Sequence, residues 1–307
     1  MRAVVVSQWG GPEVLTETET DRPEPGMGEI LVRVHAAGVN PVDWKTRESG
    51  GLIPWGPVPA VGWDVSGTVE AVGGGVTLFQ PGDEVFGMPR FPQQAGAYAE
   101  YVAAPARHFA RKPAGIDHVG AAALPLAALT AWQALVDTAD LRPGQRVLVH
   151  AAAGGVGHFA VQIAKARGAY VIGTASAGKH ELLRELGADE VIDYRSTAFE
   201  DAVSDVDIVI DAIGGEYGER SLKVLKAGGH LVTLPGPDNV PAEAPGVRTG
   251  WTLVEPDYRG LVEIAALVEA GSLRPVIDTV LPLAQAAKAH EIGEQGRTTG
   301  KIVLTVV

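Results

Sequence analysis

An apolar run that passes through a glycine-rich turn into a helical stretch is the feature of this sequence that most constrains its fold. Residues 147–157 read Val-Leu-Val-His-Ala-Ala-Ala-Gly-Gly-Val-Gly. Against the fingerprint G-x-G-x-x-G, Ala152 occupies the first glycine position, and Gly154 and Gly157 occupy the other two. Gly154 would let the backbone approach a pyrophosphate, and Gly157 would let the helix pack closely on the strand. The pattern predicts a strand, turn and helix that bind a dinucleotide, with an ordinary tight turn as the alternative.

The start of the helix after this turn favours an anion, because its first N–H groups are free and its dipole is positive there. We therefore expect Gly154, Gly155, Val156 and Gly157 to lie against the phosphates. The apolar runs and helical stretches that follow are typical of the βαβ units that hold dinucleotides.

No carboxylate stands where the second strand of this unit ends, about twenty residues after the glycines, although an NAD site has an Asp or Glu there. The segment contains Thr174, Ser176 and Lys179 instead. Ser176 can donate a hydrogen bond to a 2′-phosphate and Lys179 can neutralise it, and Tyr194 and Arg195 end the next strand on the same edge. This composition predicts NADP(H) as the cofactor. The alternative is that Lys179 is a solvated residue at the start of a helix.

Two different textures divide the chain near residue 118. Before it, short β-branched segments at 29–34, 64–72 and 83–87 lie between turns, which indicates an antiparallel β domain. After it, near-continuous apolar strands alternate with amphipathic helices, as in a parallel sheet covered on both faces. The tail after Asp257 returns to a helix, a strand near 276–281, a helix and a final strand, and we expect it to complete the first domain.

The strands and helices predicted for the second part alternate as in a doubly wound α/β sheet. Strands are predicted at 146–152, 170–174, 190–194, 206–213, 230–234 and 247–254. Helices are predicted at 121–139, 156–167, 179–186 and 216–225. The predicted fold class is α/β, and the predicted domains are 1–118 with 257–307, and 119–256.

The composition excludes several classes of function. Of 307 residues, 25 are basic and 37 acidic, so the formal charge is −12. Nucleic acids and anionic membranes attract Lys/Arg patches, and neither is expected as a partner. With no cysteine, disulfides, thiolate nucleophiles and sulfur-bound zinc are excluded. No apolar run reaches the roughly 18 residues of a membrane span and no signal peptide is seen, so we expect a soluble cytoplasmic protein.

Motifs spread over nearly the whole chain resemble the medium-chain dehydrogenase/reductase superfamily. They are the segments at 37–45 (AGVNPVDWK), 61–67 (VGWDVSG), 124–135 (LPLAALTAWQAL), 154–157 (GGVG), 186–194 (LGADEVIDY) and 299–304 (TGKIVL). Within the superfamily the chain resembles the zinc-independent quinone oxidoreductase branch. The resemblance implies a Rossmann domain with a doubly wound parallel sheet and a second domain like the GroES β-barrel, with the nicotinamide in the cleft between them.

The same resemblance indicates that the zinc site of alcohol dehydrogenases is missing. Zinc-dependent relatives have a zinc-binding Cys at the position of Asn40 and a Gly-His-Glu at the positions of Gly62, Trp63 and Asp64. Without a Lewis acid to hold an alkoxide, alcohol oxidation loses its main charge stabilisation. The resemblance therefore implies an NADPH-dependent, zinc-independent oxidoreductase that transfers hydride to a quinone or an α,β-unsaturated carbonyl.

Asn40, Asp43 and Lys45 are the candidate catalytic residues. In the family, the residues at the positions of Asn40 and Asp43 lie near the nicotinamide and the substrate. The Asn40 amide could donate a hydrogen bond to a substrate carbonyl as negative charge develops there. The alternative is that Asn40 orders the Asn-Pro turn and Asp43 caps the following helix. Many relatives have a Tyr near Lys45, where this sequence has Trp44 and Lys45, and solvent is the expected source of the proton.

Further cofactor contacts are implied by position in the family and in the sheet. Thr130 resembles a residue near the phosphates and nicotinamide, with a helix residue bonded to its own backbone as the alternative. Residues 213–214 and 234–235 end strands on the edge where ligands of such sheets bind, and Lys301 is expected to reach the cofactor from the tail. The full predicted cofactor-binding set is Asn40, Thr130, Gly154, Gly155, Val156, Gly157, Thr174, Ser176, Lys179, Tyr194, Ile213, Gly214, Leu234, Pro235 and Lys301.

Two other functions stay open, an enoyl-thioester reductase of polyketide type and a catalytically weak NADPH-binding redox sensor. Loops at 49–59 and 88–95, rich in Pro, Gly, Trp and Phe, favour a small hydrophobic or aromatic electron-poor substrate. No metal is expected, because none of the eight histidines has metal-ligand spacing. The resemblance implies a homodimer through the strand at 247–254, where relatives commonly dimerise and where a monomer would have an unpaired strand edge.

Overall fold

The computed structural model describes residues 1–50 and 60–306. The predicted substrate loop at 49–59 thus lies outside the described residues, apart from Ser49 and Gly50. The strands of the described residues are β1 (Arg2–Val6), β2 (Leu15–Glu19), β3 (Glu29–Val39), β4 (Asp64–Val72), β5 (Glu84–Gly87), β6 (Tyr101–Pro105), β7 (Phe109–Arg111), β8 (Arg146–Val149), β9 (Tyr170–Ala175), β10 (Glu190–Asp193), β11 (Val206–Asp211), β12 (Leu225–Thr233), β13 (Arg248–Trp251), β14 (Ile277–Pro282) and β15 (Lys301–Thr305).

The α-helices lie between these strands, mostly after the first hundred residues. They are α1 (Pro41–Ser49), α2 (His118–Ala122), α3 (Pro125–Trp132), α4 (Gly157–Ala166), α5 (His180–Glu185), α6 (Phe199–Ala202), α7 (Glu216–Leu222), α8 (Tyr258–Glu269) and α9 (Ala286–Glu294). None of them is long and apolar enough to cross a membrane.

The chain forms two compact units. The first contains Met1–Leu129, Glu255–Ala270 and Pro275–Val307, and the second contains Thr130–Val254 and Gly271–Arg274. The sequence prediction began the second domain at residue 119, whereas α2 and the first part of α3 group with the first unit. The contacts of α2 explain the difference, because this helix packs on β3, β4 and β15 of the first unit.

The first unit is built around the long strand β3. β3 pairs antiparallel with β4, β6 and β15, and the main sheet has the order β14-β15-β3-β4-β5-β7. The pairs are antiparallel, as the sequence predicts, except β14 with β15, which are parallel. The tail thus contributes two strands to this sheet. β3 is longer than the predicted 29–34, and its added residues carry the pairing with β15.

The second unit contains a parallel sheet of order β10-β9-β8-β11-β12-β13. The strand order reverses between β8 and β11, which confirms the predicted doubly wound α/β fold and makes this point the expected ligand crevice. Apolar residues of β8, β9, β11 and β12 are buried in its core, among them Leu148, Ile172, Val209 and Leu231.

One predicted helix is wrong in detail. The sequence predicts a continuous helix over 121–139, but the structure has α2, a break at Ala123 and Leu124, α3, and then a π-helical stretch over Gln133–Thr138. Pro125 explains the break, because proline lacks an N–H and disfavours helical backbone at the residue before it. Proline is tolerated in the first turn of a helix, so a new helix starts there.

Candidate functional site

The carboxyl ends of parallel strands collect the predicted nucleotide-binding residues of the second unit at one edge. Ala175 of β9 pairs with Asp193 of β10, so Ser176 and Tyr194 leave the sheet side by side. The glycine turn follows β8, whose Val149 pairs with Gly173 of β9. The pairs 213–214 and 234–235 follow β11 and β12 at the same edge. Ligands of open α/β sheets bind at such an edge, beside the switch point.

Gly157 is required by a close approach between α4 and the preceding turn. A Cβ atom on Gly157 would lie 2.3 Å from the carbonyl oxygen of Ala151 and 2.7 Å from Cα of Ala152. Gly154 is less crowded, since its Cβ would meet only the Ala151 oxygen, at 3.1 Å. The N–H of Gly154 donates to that same oxygen (2.8 Å). The N-cap residue of α4, Val156, makes no side-chain cap hydrogen bond, and this helix start is where the sequence predicts a phosphate.

Thr174 is held inside the sheet. It is 1% exposed, and its Oγ1 lies 3.2 Å from Nδ1 of His150. The other ring nitrogen of His150 lies 3.1 Å from Oγ of Ser221. Burial, followed by the charge of Arg220, lowers the pKa of His150 to about 3, so the imidazole is neutral. Thr174 is thus buried below this edge of the sheet, and its hydroxyl is already hydrogen-bonded to His150.

The side chains at the end of β9 and β10 are more accessible. Ser176 and Lys179 are half-buried, and Tyr194 is exposed with the Arg195 guanidinium 5.8 Å from its ring centroid. Two cations, a hydroxyl and an aromatic ring thus lie on neighbouring strand ends, and residues 174–179 contain no carboxylate. The prediction that these groups hold the phosphate of a ribose therefore concerns residues that the structure places on neighbouring strand ends.

Asp211 is a residue of this edge that the sequence analysis missed. Its Oδ1 accepts hydrogen bonds from the N–H groups of Ile213 and Gly214, both at 2.9 Å, and its carbonyl accepts one from Leu234. Gly214 adopts φ 79°, a left-handed conformation that favours glycine. Asp211 therefore fixes the turn after β11. An aspartate at the end of an apolar strand, with Gly-Gly three residues later, is the local signal that could have indicated it.

Asn40 belongs to a buried polar cluster in the first unit. Its Nδ2 donates to Oδ2 of Asp64 (2.8 Å), and its Oδ1 accepts from the Nζ of Lys301. The partners define the amide orientation, because an ammonium can only donate and a carboxylate can only accept. Asn40 is 1% exposed and Lys301 is 2% exposed. The structure therefore brings together two predicted residues that are 261 positions apart, Asn40 and Lys301.

Asp64 completes this cluster. Its Oδ2 lies 3.3 Å from the ammonium nitrogen of Lys301, and its Oδ1 accepts from the backbone N–H of Leu126 at 2.7 Å. Asp64 is fully buried, so its charge is balanced by Lys301 and by hydrogen bonds. The sequence predicts no partner for Asp64. Its pairing with Lys301 depends on strands β4 and β15, which no local pattern connects.

Asp43 caps the start of α1. Its Oδ2 accepts from the backbone N–H of Asn40 at 2.7 Å and from the hydroxyl of Tyr98 at 2.8 Å. Burial raises the pKa of Asp43 to about 7, although both of these hydrogen bonds oppose that change. The capping arrangement given as the alternative role for Asn40 and Asp43 is thus present, and it coexists with the cluster around Lys301.

Lys45, the third predicted catalytic residue, lies outside this cluster. Lys45 is exposed on α1, while Trp44 packs against Gly293 of α9, where a Cβ would lie 2.6 Å from the indole. Thr130 is buried in α3. The structure therefore does not bring Lys45 together with Asn40 and Asp43, because successive helical residues point to different faces.

Comparison with known proteins gives two family matches. "Alcohol dehydrogenase GroES-like domain" matches residues 26–114, and "Zinc-binding dehydrogenase" matches residues 186–304. The chain is 38% identical to the NADPH-dependent alkenal/one oxidoreductase of Arabidopsis thaliana chloroplasts, over 99% of this chain and 79% of the relative. It is 36% identical to the quinone oxidoreductase structure from Coxiella burnetii, with a TM-score of 0.91, covering 100% of this chain and 99% of that one.

A third relative is the pikromycin polyketide synthase component PikAII of Streptomyces venezuelae. It is 39% identical over 94% of this chain, which spans only 8% of that much longer protein. The matches that cover this whole chain and the two-unit fold indicate the same family. The chain therefore belongs to the medium-chain dehydrogenase/reductase superfamily, in its quinone oxidoreductase-like branch.

The name of one matching family raises the question of zinc, and the residues present do not fit it. The ammonium group of Lys301 contacts both Asn40 and Asp64. Its positive charge would repel a second cation bound at the same place. Trp63 directs its indole N–H to the carbonyl of Gln93 (2.8 Å). Among the residues that the structure describes, no group of three or more His, Cys, Asp or Glu side chains is arranged to hold a metal ion.

Proposed function

We propose that this chain is an NADPH-dependent, zinc-independent oxidoreductase that transfers hydride to a quinone or to an α,β-unsaturated carbonyl. The observation that carries the proposal is the edge of the parallel sheet where the glycine turn, Ser176 with Lys179, and Tyr194 with Arg195 lie together. The relatives support it, since one is named an NADPH-dependent alkenal/one oxidoreductase and one a quinone oxidoreductase.

The cofactor would be held by residues of this edge. Residues 154–157 would hold the pyrophosphate at the start of α4. Ser176 and Lys179, with Tyr194 and Arg195 beside them, would hold the 2′-phosphate that distinguishes NADPH from NADH. Residues 213–214 and 234–235, together with Thr130, would line the rest of the dinucleotide. When bound, the reduced nicotinamide supplies a hydride.

The buried cluster of the first unit would act on the charge that develops in the substrate. Hydride that reaches the β-carbon of an enone leaves negative charge on the carbonyl oxygen, and a proton from solvent then adds to the α-carbon. Asn40 has a second N–H that is not directed at Asp64, and this N–H or a neighbouring backbone N–H would donate to that oxygen. Lys301 and Asp64 hold the amide so that its nitrogen cannot exchange places with its oxygen.

The same cluster supports the proposed independence from zinc. The Lys301 ammonium contacts Asn40 and Asp64 at the place where zinc enzymes of this family have their ligands. An electron-poor acceptor needs no Lewis acid to hold an alkoxide, so hydrogen bonds suffice as the electrostatic contribution of the protein.

Steady-state oxidation of NADPH and NADH against a panel of quinones and enones tests the proposal. We expect turnover with NADPH that is unchanged by a metal chelator and slower turnover with NADH. Turnover that disappears with the chelator would refute zinc independence. NADPH binding without turnover on any quinone or enone would refute the reductase and favour the redox-sensor alternative.

Lys179→Ala tests the cofactor assignment. Loss of a charge-assisted hydrogen bond should weaken NADPH binding by about 1 to 3 kcal/mol and leave NADH binding nearly unchanged. Lys165→Ala is the matched control, because Lys165 lies near the other end of α4 and pairs with Asp189. Titration calorimetry gives the affinities. Equal losses for NADPH and NADH would contradict the 2′-phosphate assignment.

An enoyl-thioester reductase is the second candidate function, and the similarity to a segment of a polyketide synthase component favours it. Both candidates use the same hydride transfer, so a paired assay separates them. A free enone and its pantetheine thioester are compared at equal concentration. A much higher kcat/KM for the thioester would replace the quinone or enone assignment with the thioester one.

We also propose that the chain forms a homodimer through β13. Within the described residues, β13 has a neighbour on one side only, and an unpaired edge can pair with a second copy. Leu253, two residues beyond it, is exposed. Sedimentation should show a species of twice the 32.0 kDa chain mass. A 32.0 kDa species at all concentrations would contradict the dimer.

A further inference from the structure

A chain of buried hydrogen bonds connects α9 to the start of α1 in the first unit. Arg47 Nη1 lies 3.4 Å from Nδ1 of His290, and Nε2 of His290 lies 3.2 Å from the hydroxyl of Tyr98. The Tyr98 hydroxyl donates to Oδ2 of Asp43, which also accepts from the backbone N–H of Asn40. Tyr98, His290 and Asp43 are all fully buried. This series of hydrogen bonds therefore ends at the backbone of Asn40, whose side-chain amide contacts Lys301.

The direction of each bond follows from the chemistry of the partners. A guanidinium can only donate, so Nδ1 of His290 accepts from Arg47. Burial, with the charge of Arg47, lowers the pKa of His290 to about 3, and the ring is therefore neutral. A neutral ring that accepts at Nδ1 carries its proton on Nε2, which donates to the Tyr98 oxygen. The Tyr98 proton is then directed at Asp43, and every member has one defined role.

We propose that Tyr98 and His290 are positioning residues for the reaction described above, because they hold Asp43 and, through its bond to the Asn40 backbone, the orientation of the Asn40 side chain. This inference rests on the proposed reductase function. Neither residue is assigned to the substrate itself. Their contribution is to keep the start of α1 in a single arrangement, which the electrostatic stabilisation of a developing charge requires.

The charges around Asp43 show why this arrangement needs support. The Lys301 ammonium is balanced by Asp64, and Arg47 is balanced by Glu294, at 2.5 Å. Ionised Asp43 is therefore an additional buried anion, disfavoured by burial and by Asp64 and favoured by Lys301, the Asn40 N–H and the Tyr98 hydroxyl. Without the hydroxyl of Tyr98, Asp43 would keep its proton to higher pH and would bind the Asn40 N–H less strongly.

Three substitutions separate positioning from simple packing. Tyr98→Phe keeps the buried ring and removes only the hydroxyl. His290→Gln keeps an acceptor for Arg47 and a donor for Tyr98, whereas His290→Leu fills the space without either. The matched control is His118→Gln. His118 lies in the same unit and also makes two side-chain hydrogen bonds, to Ser66 and Glu84, but it is not part of the series of hydrogen bonds from Arg47 to Asn40.

We expect kcat with NADPH and the best acceptor to fall about 10- to 100-fold in Tyr98→Phe and His290→Leu, with KM for NADPH unchanged. His290→Gln and the control should stay close to wild type. The ¹³C resonance of the Asp43 carboxyl, assigned by comparison with Asp43→Asn, reports independently of activity. Its titration midpoint in Tyr98→Phe should be about 1 to 2 pH units higher than in wild type.

Wild-type turnover and the behaviour of the variants answer separate questions. If the wild-type chain reduces no acceptor, the proposed function fails, and the carboxyl titration still decides whether Tyr98 holds Asp43. If wild type turns over but Tyr98→Phe and His290→Leu keep its kcat, the positioning role is refuted. It is also refuted if His290→Gln loses as much activity as His290→Leu, or if the Asp43 midpoint does not move. Circular dichroism identifies any variant that fails to fold. If the variant at Tyr98 fails to fold, the variants at His290 decide the question, and the reverse also holds.

Discussion

Lys301→Met removes the cation that pairs with Asp64 in a buried cluster while keeping most of the side-chain volume. The ammonium nitrogen lies 3.3 Å from Asp64 and also donates to Asn40, and both partners are at most 1% exposed. In the variant Asp64 becomes a buried carboxylate without a cation. Breaking a buried ion pair on one side costs about 3 to 5 kcal/mol, and we expect the free energy of unfolding to fall by that amount.

The double variant distinguishes a charge effect from lost packing. Asp64→Asn removes the negative charge, and without Lys301 the Asn40 amide is free to turn its oxygen toward the new amide. Lys301→Met with Asp64→Asn should therefore be more stable than the sum of the two single losses predicts, by about 2 kcal/mol or more. Urea unfolding at neutral pH, followed by far-UV circular dichroism, measures all four proteins. The buried ion pair would be refuted if Lys301→Met lowered the free energy of unfolding by less than about 1 kcal/mol. It would also be refuted if the losses of the two single variants simply added in the double variant.

Two other predictions concern the second unit. Gly157→Ala should destabilise the chain by about 1 to 3 kcal/mol in thermal unfolding, because its Cβ would overlap backbone atoms. Gly178→Ala, with open space around its Cβ, should change stability by less than about 0.5 kcal/mol, and equal losses would contradict the packing argument. Burial lowers the pKa of His150 from 6.5 to about 3. The contribution of this residue to stability is therefore complete above pH 6.5 and is lost as the pH falls toward 3. His150→Gln should therefore reduce the slope of unfolding free energy between these values by about 1.4 kcal/mol per pH unit, and an unchanged slope in urea titrations would contradict a neutral imidazole.

The second unit was predictable because its signals are local. From residue 146 onward, the predicted strands and helices lie within a few residues of the observed ones, except that β12 begins earlier than predicted. The short helix α6 was not predicted. Apolar runs between helical stretches specify a parallel sheet, and parallel strands place all their carboxyl ends at one edge. The position of Gly157 follows for a similar reason, because the close approach of α4 to the turn after β8 is a property of that short segment.

Local signals were misleading where two tendencies compete over a short distance. The Ala- and Leu-rich stretch at 121–139 has strong helical propensity, but Pro125 interrupts it and α2 packs on the sheet of the first unit. Lys45 lies beside Asp43 in sequence, yet the helix directs Asp43 inward and leaves Lys45 exposed.

The α/β fold class, the glycine turn and the lack of a carboxylate in residues 174–179 can all be read from local sequence. The arrangement of the candidate site in the first unit instead depends on tertiary contacts. Lys301 reaches Asn40 and Asp64 because β3 pairs with both β4 and β15, and His290 reaches Tyr98 across 192 positions. Contacts of this kind depend on strand pairing and helix packing between distant segments. A pattern of a few residues carries no information about which distant polar group its own buried polar group will meet.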